Sequence, residues 1–336
     1  MSFDWSASDS VFQPTQGPLE KLGVERLGPY VLEGQVGAGG MGVVYRARDT
    51  NLDRPVAIKL LIAGRSAGLA QRKRMQREAQ TLARLRHPGL LGVHASGEVE
   101  GCPYLVTEWL EGEPLDERLK REGGLPIDEA IEITLAVGRA VAHAHERGIL
   151  HRDIKPSNVV QAGGRGPVLI DFGLATAHLD PGQSRLTKSG AFAGTPGYAP
   201  PEQITNAAKV DERADVYSLG ATLYALLSGA GPFSEASNMA ELLARAAAGS
   251  QPPVRQRRPE VPPAVEAVLQ RALAPDPGER YMSVDALVSA LEEARHAPAA
   301  GSKRWVALLG GAALLALSFA GGALAWHFAT RTPETA

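Results

Sequence analysis

The sequence predicts an α+β protein of two lobes, a β-rich lobe followed by an α-rich one, with a transmembrane helix near its C-terminal end. Short apolar runs separated by turns fill residues 28–110. Apolar residues at helical spacing dominate residues 111–293. A stretch free of Asp, Glu, Lys and Arg occupies residues 305–329.

In the first lobe, residues 31–36, 43–47, 55–62 and 104–109 read as strands, being short, rich in β-branched and aromatic side chains, and bounded by turn residues. Residues 71–85 read as the lobe's one helix, because Met75, Ala79, Leu82 and Leu85 fall on one face. His87-Pro88-Gly89 ends it. In the second lobe, residues 126–146, 215–227, 261–274 and 284–295 are helical in period, and residues 168–170 form a short apolar strand.

Outside the lobes, residues 1–27 read as a flexible arm. Residues 1–16 lack both the cationic start and the apolar centre of a signal peptide. Residues 294–304 read as a juxtamembrane linker and residues 330–336 as a short outer tail, too short for an extracellular sensor domain.

The 336 residues allow a two-lobed unit of about 250–300 residues with appendages. A net charge of −2 sets up no global field toward nucleic acid, so no nucleic-acid partner is expected. The single cysteine, Cys102, excludes an internal disulfide and fits a reducing compartment. Residues 305–329 are long enough to cross a hydrocarbon core, which takes about 20 residues. Trp305 and Trp326 stand where an aromatic belt would lie. Lys303 and Arg304 precede the run and only Arg331 follows closely, so the positive-inside rule puts the N-terminal domain in the cytoplasm, on a single-pass anchor in the cell (inner) membrane.

Gly37-Ala38-Gly39-Gly40-Met41-Gly42-Val43-Val44 is a glycine-rich string that continues as a strand. A dinucleotide-binding loop would open a helix instead. The string is therefore a hairpin tip, where backbone N–H groups can approach phosphate oxygens without a Cβ in the way. In Val56-Ala57-Ile58-Lys59, alternation sends Ala57 and Lys59 to one face. Glu78 lies on the inward stripe of the helix over residues 71–85. A buried carboxylate needs a partner, and Lys59 is the simplest one.

His151-Arg152-Asp153-Ile154-Lys155-Pro156-Ser157-Asn158 falls in a loop between a helix and a short strand. Asp153 can accept the proton of a substrate hydroxyl. Lys155 can neutralise charge on a transferring phosphoryl group. Asn158 offers a neutral oxygen to a hard cation such as Mg²⁺. Asp171-Phe172-Gly173 follows an apolar strand, and Asp171 at its end can ligate the same kind of cation.

Taken in this order, the strings resemble those of the eukaryotic-like protein kinase family, in particular the membrane-anchored serine/threonine kinases of bacteria. The resemblance covers residues 30–291. It extends to Gly194-Thr195-Pro196, Pro201-Glu202, Asp215-Val216-Tyr217-Ser218-Leu219-Gly220 and Arg280. It implies a two-lobed protein-kinase fold, ATP as phosphoryl donor, Mg²⁺ (or Mn²⁺ in its place) and protein substrates. By resemblance, Asp215 braces the catalytic loop and Arg280 pairs with Glu202. Thr107-Glu108-Trp109-Leu110 resembles the hinge, so Glu108 and Leu110 join Gly37, Ala38, Gly39, Gly40, Gly42, Val44, Ala57 and Lys59 as expected nucleotide-binding residues. Lys155 with Thr195 resembles the serine/threonine branch.

Thr187 and Ser189 stand where related bacterial kinases autophosphorylate, and a phosphate there could pair with Arg152 and order the loop. Related kinases also dimerise, so a homodimer is an open expectation. The chain departs from the family at Pro200, where Ala is usual; a proline removes one N–H and fixes φ in the substrate-docking loop. The alternatives are a pseudokinase scaffold, which would need a broken site, and a small-molecule kinase, which would lack the segment 194–202. The histidines His94, His143, His145 and His178 have no ligand spacing and read as structural or surface residues.

Overall fold

The computed structural model describes residues 19, 23–39, 42–61, 81–171, 196–205 and 210–297. The first lobe is a six-stranded antiparallel sheet in the order β1-β2-β3-β4-β6-β5. Its strands are β1 (Arg26–Leu27), β2 (Tyr30–Gly39), β3 (Gly42–Asp49), β4 (Arg54–Leu60), β5 (Val93–Val99) and β6 (Cys102–Glu108). Period-two patterning builds its core: Val56, Ile58 and Leu60 of β4 turn inward with Val43, Tyr45 and Ala47 of β3.

Two features of this lobe differ from the sequence reading. The expected arm over residues 1–27 contributes to the core: β1 pairs with β2, and Leu19 is 1% exposed. The N–H of Leu19 donates to the buried Tyr45 hydroxyl at 3.1 Å. A buried phenol requires such a partner, so the arm's last part is tied to the sheet. Strand β5 was not expected at all. Its sequence, His94-Ala95-Ser96-Gly97-Glu98, lacks an apolar alternation because it lies at the sheet edge with neither face fully covered.

The second lobe opens with β7 (Gly112–Pro114), α1 (Leu115–Glu122) and α2 (Ile127–His145). Next come β8 (Val159–Ala162) and β9 (Gly166–Leu169), which form a three-stranded sheet with β7. The remaining helices are α3 (Pro201–Thr205), α4 (Arg213–Ser228), α5 (Met239–Ala248), α6 (Val254–Arg257), α7 (Pro263–Ala272) and α8 (Val284–His296). Helix α4 is buried along nearly its whole length, from Ala214 to Leu227, so it is the axis about which the lobe packs. Gly138 of α2 lets that helix approach α8 and α4: a Cβ there would press on side chains of Val288 and Leu219.

Helix α1 escaped the sequence reading because only Leu115 and Leu119 are buried in an otherwise charged run. Thr81 and Leu82 are helical, but most of the helix expected over residues 71–85, Glu78 included, lies outside the described residues. The expected membrane span over residues 305–329 also lies outside them. Among the described residues, no helix is long and apolar enough to cross a membrane.

Candidate active site

Between the lobes lies a cleft of about 230 Å³. Strands β2 to β4 form its roof. Register places Val44 opposite Lys59, and Ala57 opposite Thr107 of β6. Because Val56 and Ile58 are taken by the core, Ala57 and Lys59 face the cleft, as period-two alternation requires. Of the nucleotide-binding residues expected from sequence, Gly37, Val44, Ala57, Lys59, Glu108 and Leu110 line this cleft. Ala38, Gly39 and Gly42 sit at the end of the β2–β3 hairpin, and Gly40 lies outside the described residues. Val36 and Thr107 also line the cleft, with Val160 and Ile170 of the lower lobe. Val36 and Ile170 adjoin the selected Gly37 and Asp171, Thr107 opens the expected hinge string, and Val160 lies two residues after Asn158.

The hinge carries a contact that sequence reading missed. The Glu108 carboxylate accepts from the Gly92 N–H at 2.7 Å and from Arg165, in the β8–β9 turn, at 2.8 Å. Arg165 also donates to the carbonyls of Pro88 and Leu90. The side chain of Glu108 thus joins the lobes, while its residue borders the cleft.

The floor is the loop 151–158, and its geometry comes from distant parts of the chain. The carboxylate of Asp215, fully buried on α4, accepts from the backbone N–H groups of His151 at 2.8 Å and Arg152 at 2.7 Å. Its Oδ2 also meets Nε2 of His145 at 2.8 Å. His145, read from sequence as structural or surface, therefore belongs to the brace of this loop. Burial raises the Asp215 pKa. The His145 hydrogen bond, with the neighbouring histidine charges and the His151 N–H, outweighs burial and leaves it below the ordinary carboxylate value.

Burial lowers the pKa of His151, so its ring is neutral at pH 7. The bonding network assigns the tautomer. Nδ1 accepts from the Asp153 N–H at 3.3 Å, so Nε2 carries the proton and donates to the Ile170 carbonyl at 3.0 Å.

Within this frame, Asp153 Oδ2 accepts from the Asn158 amide at 3.0 Å and pairs with Lys155 Nζ at 3.0 Å. Among the described residues, Oδ1 carries no hydrogen bond, so one carboxylate oxygen remains for an incoming hydroxyl. The Ile170 N–H donates to the Asn158 carbonyl, which holds the Asn158 and Asp171 backbones side by side. Asp171 has φ +57°, a left-handed conformation that costs about 1–3 kcal/mol in a non-glycine residue and is typical of strained functional positions. Its Oδ1 stands 2.7 Å from Lys59 Nζ. That contact differs from the expected Lys59–Glu78 pair, whose carboxylate is outside the described residues.

The donor set suits a hard divalent cation. The Asn158 amide nitrogen is committed to Asp153, which leaves the amide oxygen as the acceptor for a cation. An amide oxygen and the Asp171 carboxylate are the neutral and anionic oxygen ligands that Mg²⁺ takes alongside phosphates and waters. Among the described residues there is no cluster of three His, Cys, Asp or Glu side chains able to hold a metal without such help.

Glu202 of α3 and Arg280 form a bidentate pair at 2.7 and 2.8 Å, with Arg280 1% exposed. Carbonyls of Ala274, Arg213 and Pro275 take the remaining guanidinium N–H groups, so this buried cation is fully satisfied. Pro200 is accommodated at the start of α3, where its carbonyl accepts from the Gln203 N–H. Thr187 and Ser189 lie outside the described residues.

Residues 30–291 match the protein kinase domain family. Serine/threonine-protein kinase PknD of Mycobacterium tuberculosis is 38% identical over 270 residues, covering 80% of this chain and 40% of that protein. PknH of Mycobacterium bovis is 38% identical over 271 residues, covering 81% of this chain and 45% of that protein. The chain thus spans less than half the length of these curated relatives. The crystal structure of the Mycobacterium tuberculosis PknI kinase domain aligns with a TM-score of 0.62 at 28% identity, covering 85% of this chain and 100% of that one. A structure of Rad53 in complex with AMP-PNP aligns with a TM-score of 0.65 at 23% identity, a likeness of fold alone. The sequence match runs through both lobes, and every part of the cleft lies within it; the chain belongs to the protein kinase domain family.

Proposed function

We propose that this protein transfers the γ-phosphoryl group of ATP to serine and threonine hydroxyls of other proteins. The observation that carries this reading is the floor of the cleft. There Asp153 presents one carboxylate oxygen with no hydrogen bond among the described residues, with Lys155 held against the other. Asp153 orients the acceptor hydroxyl and takes its proton. Lys155 and Lys59 place positive charge where negative charge develops on the phosphoryl oxygens. Glu78 positions Lys59.

Asn158 and Asp171 would hold Mg²⁺, or Mn²⁺ in its place, and the ion would supply charge neutralisation to the phosphates. Gly37, Ala38, Gly39, Gly40 and Gly42 let the hairpin close on the phosphates. Val44 and Ala57 pack on the adenine, and the backbone of Glu108 to Leu110 holds its edge. Lys155 with Thr195 favours serine and threonine over tyrosine. The family's kinase relatives support this reading.

The reading extends to place and control. Residues 305–329 anchor the protein in the cell membrane with its kinase domain on the cytoplasmic side; the charge asymmetry about that run supports this. Thr187 and Ser189 are autophosphorylated and draw Arg152 to the modified loop. A homodimer is compatible with both.

The test is incubation of the full chain with γ-labelled ATP, Mg²⁺ and a generic protein substrate. Label on serine or threonine that disappears in Asp153→Asn is expected. Nucleotide binding without transfer to any protein would sink the proposal in favour of a scaffold.

A further inference from the structure

We propose that Gln203 is a positioning residue for phosphoryl transfer: its Nε2 grips the carbonyl of Arg152 and so sets the peptide unit that aims Asp153. This rests on the kinase activity proposed above.

Gln203 lies on α3, next to Glu202, and is 1% exposed. Its Nε2 donates to the Arg152 carbonyl at 2.7 Å, across 51 positions of sequence. Arg152 has φ +64°. A non-glycine residue keeps such a conformation only where its surroundings over-determine it. Here they do. Its N–H is held by Asp215, its carbonyl by Gln203, and the next N–H, that of Asp153, by His151. Both polar atoms of the peptide unit ahead of Asp153 are therefore fixed from opposite sides.

Packing does not account for an amide at this position. The Gln203 Oε1 is buried with no partner among the described residues. An orphaned buried acceptor is destabilising. A methionine would fill similar space without that penalty. What the amide offers over methionine is the Nε2 donor, and its one hydrogen-bond partner among the described residues is the loop that carries Asp153. The grip is also rigid at its base, because Glu202 is locked to the buried Arg280 and the Gln203 N–H is bound to the Pro200 carbonyl. Helix α3 ends the expected peptide-docking segment, so the same bond ties that segment to the position of Asp153.

The experiment uses purified full-length protein and the variants Gln203→Met and Gln203→Glu, with kcat and KM for ATP and for a peptide substrate. Gln203→Met should lower kcat by about tenfold, equivalent to about 1.4 kcal/mol. Its KM for ATP should stay within twofold, and its thermal midpoint should stay close to wild type, since loss of the orphaned Oε1 offsets leaving the Arg152 carbonyl without its donor. In Gln203→Glu the ionised carboxylate meets the Arg152 carbonyl and repels it, while the protonated acid can donate to it. Its kcat relative to wild type should therefore be lowest at high pH and recover as pH falls.

Wild-type kcat in Gln203→Met, or a Gln203→Glu ratio independent of pH, overturns the proposal. If Gln203→Met does not fold, the pH profile of Gln203→Glu decides alone. If wild type itself labels no protein, the kinase reading has failed. Amide hydrogen exchange at residues 151–153 then reads the grip directly: faster exchange in a variant supports it, and unchanged exchange overturns it.

Discussion

The roof and floor of the cleft are built on opposite plans. The roof, β2 to β4, is held by the ladder of an antiparallel sheet, with two register shifts between β2 and β3. The floor, residues 151–158, is irregular backbone held by side chains from α2, α3 and α4. A sheet can twist and flex while keeping its ladder. A loop whose N–H and carbonyl groups are bonded one by one to buried residues cannot move without losing those bonds. The difference suits their tasks: the roof must admit a nucleotide and close on it, whereas the floor must present one carboxylate in a fixed direction.

This contrast can be broken most severely at the floor. Asp153→Asn keeps the size and burial of the side chain but removes the proton acceptor. It should lower kcat about 10²–10⁴-fold while leaving ATP affinity nearly intact, as read by steady-state kinetics and nucleotide titration. An active variant would remove Asp153 from its assigned role.

Asp215→Asn attacks the brace. It replaces a buried acceptor of several N–H groups with an amide that must turn a donor toward one of them. Loss of about 1–3 kcal/mol in urea unfolding is expected, the range for leaving buried hydrogen-bonding groups unsatisfied. A loss below about 1 kcal/mol would show that the loop does not depend on Asp215.

At the roof the expected effect is smaller and of another kind. A Cβ at Gly42 would collide with the Leu60 carbonyl oxygen, so Gly42→Ala must shift the hairpin tip from β4. The KM for ATP should rise about tenfold, equivalent to about 1.4 kcal/mol, with kcat little changed. A fall in kcat at constant KM would contradict the division of labour between roof and floor.

Acid should also act on the floor first. His151 has a folded pKa below its ordinary value of 6.5, so the unfolded chain takes up that proton at higher pH than the folded one. Stability from neutral His151 is complete above about pH 6.5 and is lost as pH falls toward the folded value. Asp215, also lowered, acts in the same direction further down, below the ordinary carboxylate range of about 4. Urea midpoints measured from about pH 8 to pH 4 should fall progressively on the acid side. A flat profile through the histidine range would mean that His151 does not stay neutral.

The smallest effect is expected at Pro200→Ala. Pro200 takes part in α3 through its carbonyl, which alanine retains. Stability should drop by about 0.4–1 kcal/mol through greater freedom of the unfolded chain, with the KM for peptide unchanged. A changed KM would show that the ring itself shapes the docking segment.

The chemistry of the site was legible in the sequence because the reacting groups sit in short contiguous strings. His151 to Asn158 lie together, and Val56 to Lys59 carry their facing in a period of two. The apolar helices α2 and α4 were legible for the same reason, since each has apolar residues at a regular period. Helix α1, with two buried leucines, and the edge strand β5, without alternation, carry little such signal. The end of the arm was not legible because two isolated buried residues, Leu19 and Leu27, are too few to form a pattern.

The sequence alone therefore determined the two-lobed class, the order of the catalytic strings and the facing of Lys59, all consequences of local periodicity and contiguous motif. The brace by Asp215 and the Arg280–Glu202 pair were expected by resemblance and are present; the further ties that hold those strings were decided only by the tertiary structure. Arg165 reaches Glu108 across 57 positions, His145 reaches Asp215 across 70, and Gln203 reaches Arg152 across 51. Each of these side chains is unremarkable in its own segment and acquires its partner when packing removes water from between distant parts of the chain. A buried polar group must then find a bond inside the protein, and which bond it finds depends on the packing of both lobes.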